Sequence, residues 1–412
     1  MSAGSADAKR GRAVKLAVVV AALGYFVDIY DLILFSIVRK SSLLGLGVPP
    51  ERVLDTGVLL INMQMGGMLL GGIFWGILGD KRGRLSVLFG SIVLYSLANV
   101  ANAFVPNVEA YAVTRFIAGV GLAGELGAGI TLVSESLSKE TRGYGTTIVA
   151  TVGITGAVVG ALVAGLVPWQ TSYLIGGGLG LALLVLRIGV YESGMFEKLK
   201  ATRGVSRGNL FLLFSSWRRA SRYLGVILVG VPIWYAVGVL VTFSPEIGAA
   251  LGMSPAPEAA KAVMYCYIGL ALGDFGSGAL SQLLRSRKRV LFGFLLLTAL
   301  AIAAYFTLGS ASTTAFYAVC VLLGFATGYW AVFVTVASEQ FGTNVRATAT
   351  TTVPNFVRGA VVPLTLAFTA LQRSVGVPGA AIAIGVVTML VALGALATLD
   401  ETYGKDLEFH ET

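Results

Sequence analysis

Long apolar runs separated by short polar punctuation dominate this chain. Residues 56–79 and 85–108 each run 24 positions without a charge, and 223–245 runs 23. A helix of about 20 apolar residues spans a hydrocarbon core of ~30 Å, so each run predicts a transmembrane helix. The breaks between runs are turn-like, as in PWQTS at 168–172 and GSASTT at 309–314. Runs and breaks together predict twelve spans. The first six lie near 14–38, 54–79, 85–105, 109–137, 143–167 and 171–191. The second six lie near 223–245, 260–284, 290–309, 313–338, 347–371 and 378–399. The expected fold class is an all-α integral membrane protein with two pseudo-symmetric six-helix bundles, 1–191 and 223–399. A basic cytoplasmic linker, 192–222, joins them, and 400–412 forms a cytoplasmic tail.

Composition agrees with this pattern. The 412 residues are 56% hydrophobic and only 12% charged, a balance that leaves too few polar side chains to cover a water-facing surface. The first apolar run, 16–38, is too long for a signal-peptide core and is expected to remain as a span. Cys266 and Cys320 both fall within apolar spans, which argues against a disulfide framework. His410 in the tail is the only histidine, so no metal site or cofactor is expected.

Charge then orients the spans. With the N-terminus inside, 22 of the 30 basic residues fall on inner segments, five on outer loops and three within spans. That asymmetry is the positive-inside rule, and it accounts for the net charge of +9 through topology and anionic headgroups rather than nucleic-acid binding. The inner linker ends in NLFLLFSSWRRASR, a mixture of apolar and basic residues suited to lying along the membrane face.

The two halves also echo each other. SESLSKETRGYGTT at 134–147 matches SEQFGTNVRATATT at 338–351, and GILGDKRGR at 76–84 has a decayed counterpart in GALSQLLRSRKR at 278–289. Such duplication is typical of transporters whose substrate site lies near the midplane between the repeats.

Charges inside spans are costly, about 2.5–3.5 kcal/mol each on insertion scales, and mark function by default. GYFVDIYDLILF at 24–35 places Asp28 and Asp31 three apart on the first helix, where two like charges resist ionising together. Arg115 in the fourth span lies at a similar depth and offers a cation to either one. Glu125, ten residues further along, is expected to relay protons, contact substrate or bond a neighbouring helix. Arg358, between Pro354 and Pro363 in the eleventh span, is a candidate for an anionic substrate group because its planar fork binds carboxylate or phosphate bidentately. Asp274, also near mid-depth, either contacts substrate or ties Arg358 into a structural pair. Tyr25, Trp234, Tyr235, Tyr329, Trp330 and Asn355 are candidate walls of the same site, with Pro232 expected to bend the seventh helix beside Trp234. Arg187, near the end of span six, is expected to snorkel to the interface.

Two motif matches fail on context. GVGLAG at 119–124 lies inside a span with no preceding strand, and GVSRG at 204–208 lies in a basic loop without an elbow or a usable histidine.

GILGDKRGR fits the loop signature between the second and third helices of the major facilitator superfamily, and the chain resembles that superfamily throughout. ESGMFEKL at 192–199 is similar to the stretch after the sixth helix in sugar porters and metabolite:proton symporters, departing from it at Gly194. The tail DETYGKDLEF at 400–409 and DIYDL in the first helix are similar to the same branch. The resemblance implies the major facilitator fold, and a proton-coupling pair between a first-helix aspartate and Arg115. It also implies cytosolic gating networks built from Asp80, Arg84, Glu135, Arg142, Glu339 and Arg346. The fifth span lacks the Gly-Pro pair of drug-efflux antiporters.

The expected function is secondary active transport by alternating access, as a proton-coupled symporter of a small organic or phosphate-bearing anion. The alternative is a facilitator or antiporter of a neutral solute such as a sugar. A membrane-embedded enzyme is disfavoured because the sequence has no nucleophile–base constellation. The expected setting is a bacterial cytoplasmic membrane, with both termini cytoplasmic, a monomeric chain, and lipids, substrate and protons as its only partners.

Overall fold

The computed structural model describes residues 3–82, 84–125, 127, 142–192 and 210–405. Among them there is no strand, and nine helices are long and apolar enough to cross a membrane. The first half of the chain supplies α1 (Ala3–Gly45), α2 (Val53–Arg82), α3 (Arg84–Asn102), α4 (Val108–Leu122), α5 (Arg142–Leu166) and α6 (Trp169–Glu192). The second half supplies α7 (Trp217–Tyr235), α8 (Ser244–Ala250), α9 (Ala259–Leu283), α10 (Arg287–Thr307) and α11 (Thr313–Thr327). It continues with α12 (Trp330–Glu339), α13 (Thr343–Gly359) and α14 (Val361–Thr398). Three expected spans are not separate by the membrane-crossing criterion. The apolar part of α3 is short, α4 is described only as far as its middle, and Thr348–Thr398 counts as one stretch although Gly376, at φ 73°, breaks it.

Several boundaries differ from expectation. Helix α1 runs on to Gly45, so Arg39 and Lys40, assigned to an outer loop, are helical, and Arg39 is buried. The tenth span is two helices, because Gly328 and Tyr329 leave helical geometry between α11 and α12. Pro232 sits inside α7, whose end passes into a π-helical turn, Ala236–Val241, before α8.

Polarity is distributed as lipid demands. Leu300, Leu390 and Leu272 point outward and are well exposed, whereas Asp28, Asp31, Arg115, Glu125, Asp274 and Arg358 are all buried. With no hydrophobic drive between helices in lipid, close packing must hold them together. A Cβ on Gly119 in α4 would run into the carbonyl oxygen of Gln64 in α2, and one on Gly324 in α11 into that of Cys266 in α9. The same backbone-to-backbone crossing thus recurs in each half, at positions about one sequence repeat apart.

At the end of the second half, the chain after α14 folds back on the N-terminus of α10. Glu401 accepts hydrogen bonds from the Ser286 hydroxyl and from the amides of Arg287 (2.9 Å) and Lys288 (3.2 Å). Against the burial that would raise it, those donors and the Tyr403 amide bring Glu401 down to about 2.

Gly324→Leu is expected to separate α9 from α11 and lower the Tm in detergent by several degrees, overpacking costing about 1–3 kcal/mol. Gly293→Leu, where nothing lies within 4 Å of the added carbon, is the control. Equal Tm values for both variants would contradict the close-crossing account.

Candidate functional site

Helix α1, described over 43 residues, carries the central charges. Three residues turn a helix through 300°, so Asp28 and Asp31 sit about 60° apart in projection. That difference sends them to different neighbours. Asp28 meets the other half of the chain, with Oδ2 3.7 Å from Nη2 of Arg358. Asp31 stays inside the first half, beside Arg115 and Asn99. The cation facing Asp28 is therefore Arg358, not Arg115.

Arg358 stands in the last turn of α13, where the helix dipole favours a cation. Its guanidinium carbon lies 5.9 Å from the Trp234 ring centroid and 5.6 Å from that of Trp330, within cation–π range of both. None of its three nitrogens donates a hydrogen bond to any described residue, and neither Asp28 oxygen accepts one. A buried guanidinium normally fills its five N–H positions. Here a carboxylate stands close enough to supply charge and too far to complete a hydrogen bond. The arrangement can take a second planar anion on the guanidinium fork, with two indoles close by to receive an apolar body. Tyr25 is buried within electrostatic reach of Arg358, Asp28 and Asp274.

The remaining wall candidates have other engagements. Tyr235 donates to the carbonyl of Ala381 (2.6 Å) and Tyr329 to that of Val229 (3.0 Å), fastening α7 to α14 and to the α11–α12 break. Asn355 donates to the Ala123 carbonyl (2.9 Å), a tie between halves one turn from Arg358. Asp274 is not the partner of Arg358. Its Oδ1 accepts from the Ala331 amide at 2.7 Å, capping α12 where the broken tenth span restarts. The apposed N–H groups of a helix start favour a carboxylate there, so the Arg358–Asp274 pair expected as a competitor does not form.

Two further buried clusters lie in the first half. Arg115 donates to Gln64, reaches Asn99 Oδ1 at 3.4 Å and stacks near Phe35 and Tyr173. Gln64 in turn donates to the Leu32 carbonyl at 3.0 Å. Glu125 pairs with Arg187, whose Nη1 also donates to Glu125 Oε2 at 3.0 Å and to the Leu88 carbonyl at 3.3 Å. Arg187 is only 6% exposed, so it does not snorkel. A carboxylate one helix away holds it in the interior.

Of the expected gating residues, Glu135 and the side chains of Asp80, Arg84 and Arg142 lie outside the described residues. Glu339 pairs with Arg287 (3.4 Å) and accepts from Thr402 (2.7 Å). Arg346 donates to the carbonyls of Ser338 (3.0 Å) and Phe341 (3.2 Å).

Sequence reasoning passed over Gln64, Asn99, Arg39 and Glu246, and placed Arg187 at the interface. Their charge or amide within or near an apolar run was the available signal. Which of them met was hidden, because every pair joins different helices.

Residues 21–358 match the family profile described as Major Facilitator Superfamily. The niacin transporter NiaP of Acinetobacter baylyi is 30% identical over 321 residues, 70% of this chain and 72% of that protein. The gentisate transporter of Corynebacterium glutamicum is 26% identical over 401 residues, 91% and 86% of the two chains. The 3-(3-hydroxy-phenyl)propionate transporter of Escherichia coli is 28% identical over 311 residues, 70% and 73%.

The Glu125–Arg187 pair yields a stability prediction. Glu125→Gln leaves Arg187 buried without a counter-charge, at a cost of about 3–5 kcal/mol, and should lower the Tm in detergent by several degrees. Replacing both by Met should restore most of the loss. An unchanged Tm in Glu125→Gln would show that the pair is not holding the segment after α4 to α6.

Proposed function

The chain belongs to the Major Facilitator Superfamily, and from that premise we propose that it is a proton-coupled symporter of small carboxylate anions. In this reading, twelve spans form two six-helix bundles that rock about a central site. Both termini face the cytoplasm of a bacterial inner membrane. One observation carries the proposal: Arg358, buried and without hydrogen bonds to described residues, stands 3.7 Å from an aspartate of the opposite half.

Coupling follows from charge balance. With Asp28 ionised, Arg358 already has a counter-charge, and adding a substrate carboxylate would place two anions on one cation away from water. Burying that extra charge is costly. Once Asp28 takes a proton, Arg358 is free to bind the carboxylate bidentately. Proton and anion therefore occupy the site together, one of each. When the anion leaves, Asp28 loses its proton and restores the tie between the halves. Asp31 and Arg115 form a second acid–base contact within the first bundle, where a proton on Asp31 loosens α1 from α4. Glu125, already answered by Arg187, is assigned to structure rather than to proton transfer.

Trp234 and Trp330 favour an anion with a flat apolar body. The compounds named for the relatives above (niacin, gentisate and a hydroxyphenylpropionate) are all aromatic or aryl-substituted carboxylic acids. The reading of a facilitator for neutral solutes required Arg358 to be tied up by Asp274, which instead caps α12.

Asp28→Asn should abolish proton-driven accumulation in proteoliposomes while sparing counterflow exchange, and Asp31→Asn should do the same. If both variants still concentrate substrate against its gradient, the coupling assignment fails. Binding is tested separately, by thermal shift of the purified protein with benzoate, nicotinate, gentisate, phosphate and glucose. Stabilisation is expected from the aromatic carboxylates and should fall at least tenfold in apparent affinity in Arg358→Gln, a bidentate charged contact being worth about 1.5–3 kcal/mol. Stabilisation by glucose alone would replace this reading with the neutral-solute one.

A further inference from the structure

Arg39 lies 11 residues beyond Asp28 on α1, three helical turns and about 20° round, or ~16 Å nearer the outer face. The two side chains therefore share a stripe of the helix, and Arg39, like Asp28, crosses to the second half of the chain. Its Nη2 donates to both carboxylate oxygens of Glu246, at 2.7 and 2.8 Å, and to the carbonyl of Thr242 at 3.3 Å. Nη1 reaches the Val53 carbonyl at 3.5 Å. The guanidinium carbon sits 4.8 Å from the centroid of Phe243. Gly57 of α2 makes the room, since a Cβ there would press on the Arg39 Cδ at 2.6 Å. Arg39 is 1% exposed, whereas Glu246 is 20% exposed, so the anion is the more accessible member.

The composition of this cluster repeats that of the central site. Each has a buried arginine, an aromatic face beneath the guanidinium, and a carboxylate contributed by the opposite half. At the centre the carboxylate stands back at 3.7 Å; at the outer end both its oxygens accept from one guanidinium nitrogen, Nη2. We infer that Arg39 is an outer binding site for the carboxylate of the transported anion, and that Glu246 fills it as an internal ligand when the outer path is shut. This rests on the proposed function, since it takes an organic carboxylate as the cargo. An incoming anion displaces Glu246, takes its place above Phe243, and then moves three turns down the same helix stripe to Arg358.

A plain latch and a ligand site differ in a measurable way. Both Arg39→Gln and Glu246→Gln break the Arg39–Glu246 contact, so a latch alone predicts that they change transport in the same direction. A ligand site predicts opposite shifts in KM for uptake into intact cells, where the outer face is the one that meets substrate. Glu246→Gln removes the internal competitor and should lower KM about fivefold, and Arg39→Gln removes the site and should raise it about fivefold, each short of a tenfold, 1.4 kcal/mol change. In the double variant the Glu246→Gln gain should vanish, leaving the KM of Arg39→Gln. If Arg39→Gln does not reach the membrane, Arg39→Lys, which keeps the charge but not the fork, takes its part and should still raise KM. The substrates are benzoate, nicotinate and gentisate. If the wild type takes up none of them, the proposed function falls and this inference with it. If the wild type takes one up, and the two single variants shift KM alike or not at all, the inference alone is overturned.

Discussion

A guanidinium sealed from water has to be answered by negative charge, and Arg358 is answered incompletely. Asp28 approaches from the other half of the chain but stops at 3.7 Å, and the arginine donates to no described residue. In a dry interior such a group is held in check only as long as everything around it keeps its place. The packing of α1, α7, α12 and α13 makes sense as the frame for that one contact. Trp234 and Trp330 give the cation two π faces, and Asp274 fixes the start of α12 so that Trp330 has a defined position. Asn355 and Tyr25 close the surroundings.

The other buried charges fall into place around that frame. Glu125 and Arg187 share two hydrogen bonds and behave as a brace between the segment just after α4 and α6. Arg115 is spread over Gln64, Asn99 and two aromatic rings, leaving Asp31 with a cation nearby and no hydrogen bond from described residues. Such differences in completeness separate braces from switches. A saturated ion pair resists change, whereas an acid facing a half-engaged cation gains or loses a proton with consequences for its neighbours. On that criterion α1 carries the working groups of the proposed cycle, Asp28 toward the second half and Asp31 toward the first.

Much of this was legible from order and spacing alone. The hydrocarbon thickness and the cost of an unpaired backbone in lipid leave helices as the solution for such apolar runs, so the all-helical class followed from the runs. The spacing of Glu135 and Arg142 in SESLSKETRGYGTT, matched by Glu339 and Arg346 in SEQFGTNVRATATT, pointed to the duplication. Asp28, Asp31, Arg115 and Arg358 stood out because ionisable groups in apolar runs are too costly to be incidental. Even the choice of Arg358 as a candidate for anion binding needed only the chemistry of its fork.

Partnership was what one dimension could not contain. Asp28 and Asp31 differ by a rotation of about 60°, and whether that rotation points across the interface or into the first bundle depends on how α1 is seated between its neighbours. Depth arguments put Arg115 and Asp28 at one level without placing them on facing surfaces. Arg39 looked like loop punctuation, and Arg187 like an interfacial anchor, because hydropathy records what a residue costs in lipid and not what stands beside it. Sequence by itself determined which charges must be buried, since that cost belongs to the residue and its run. Only the tertiary structure decided which opposite charge each one meets, because helices tens or hundreds of residues apart settle that by packing.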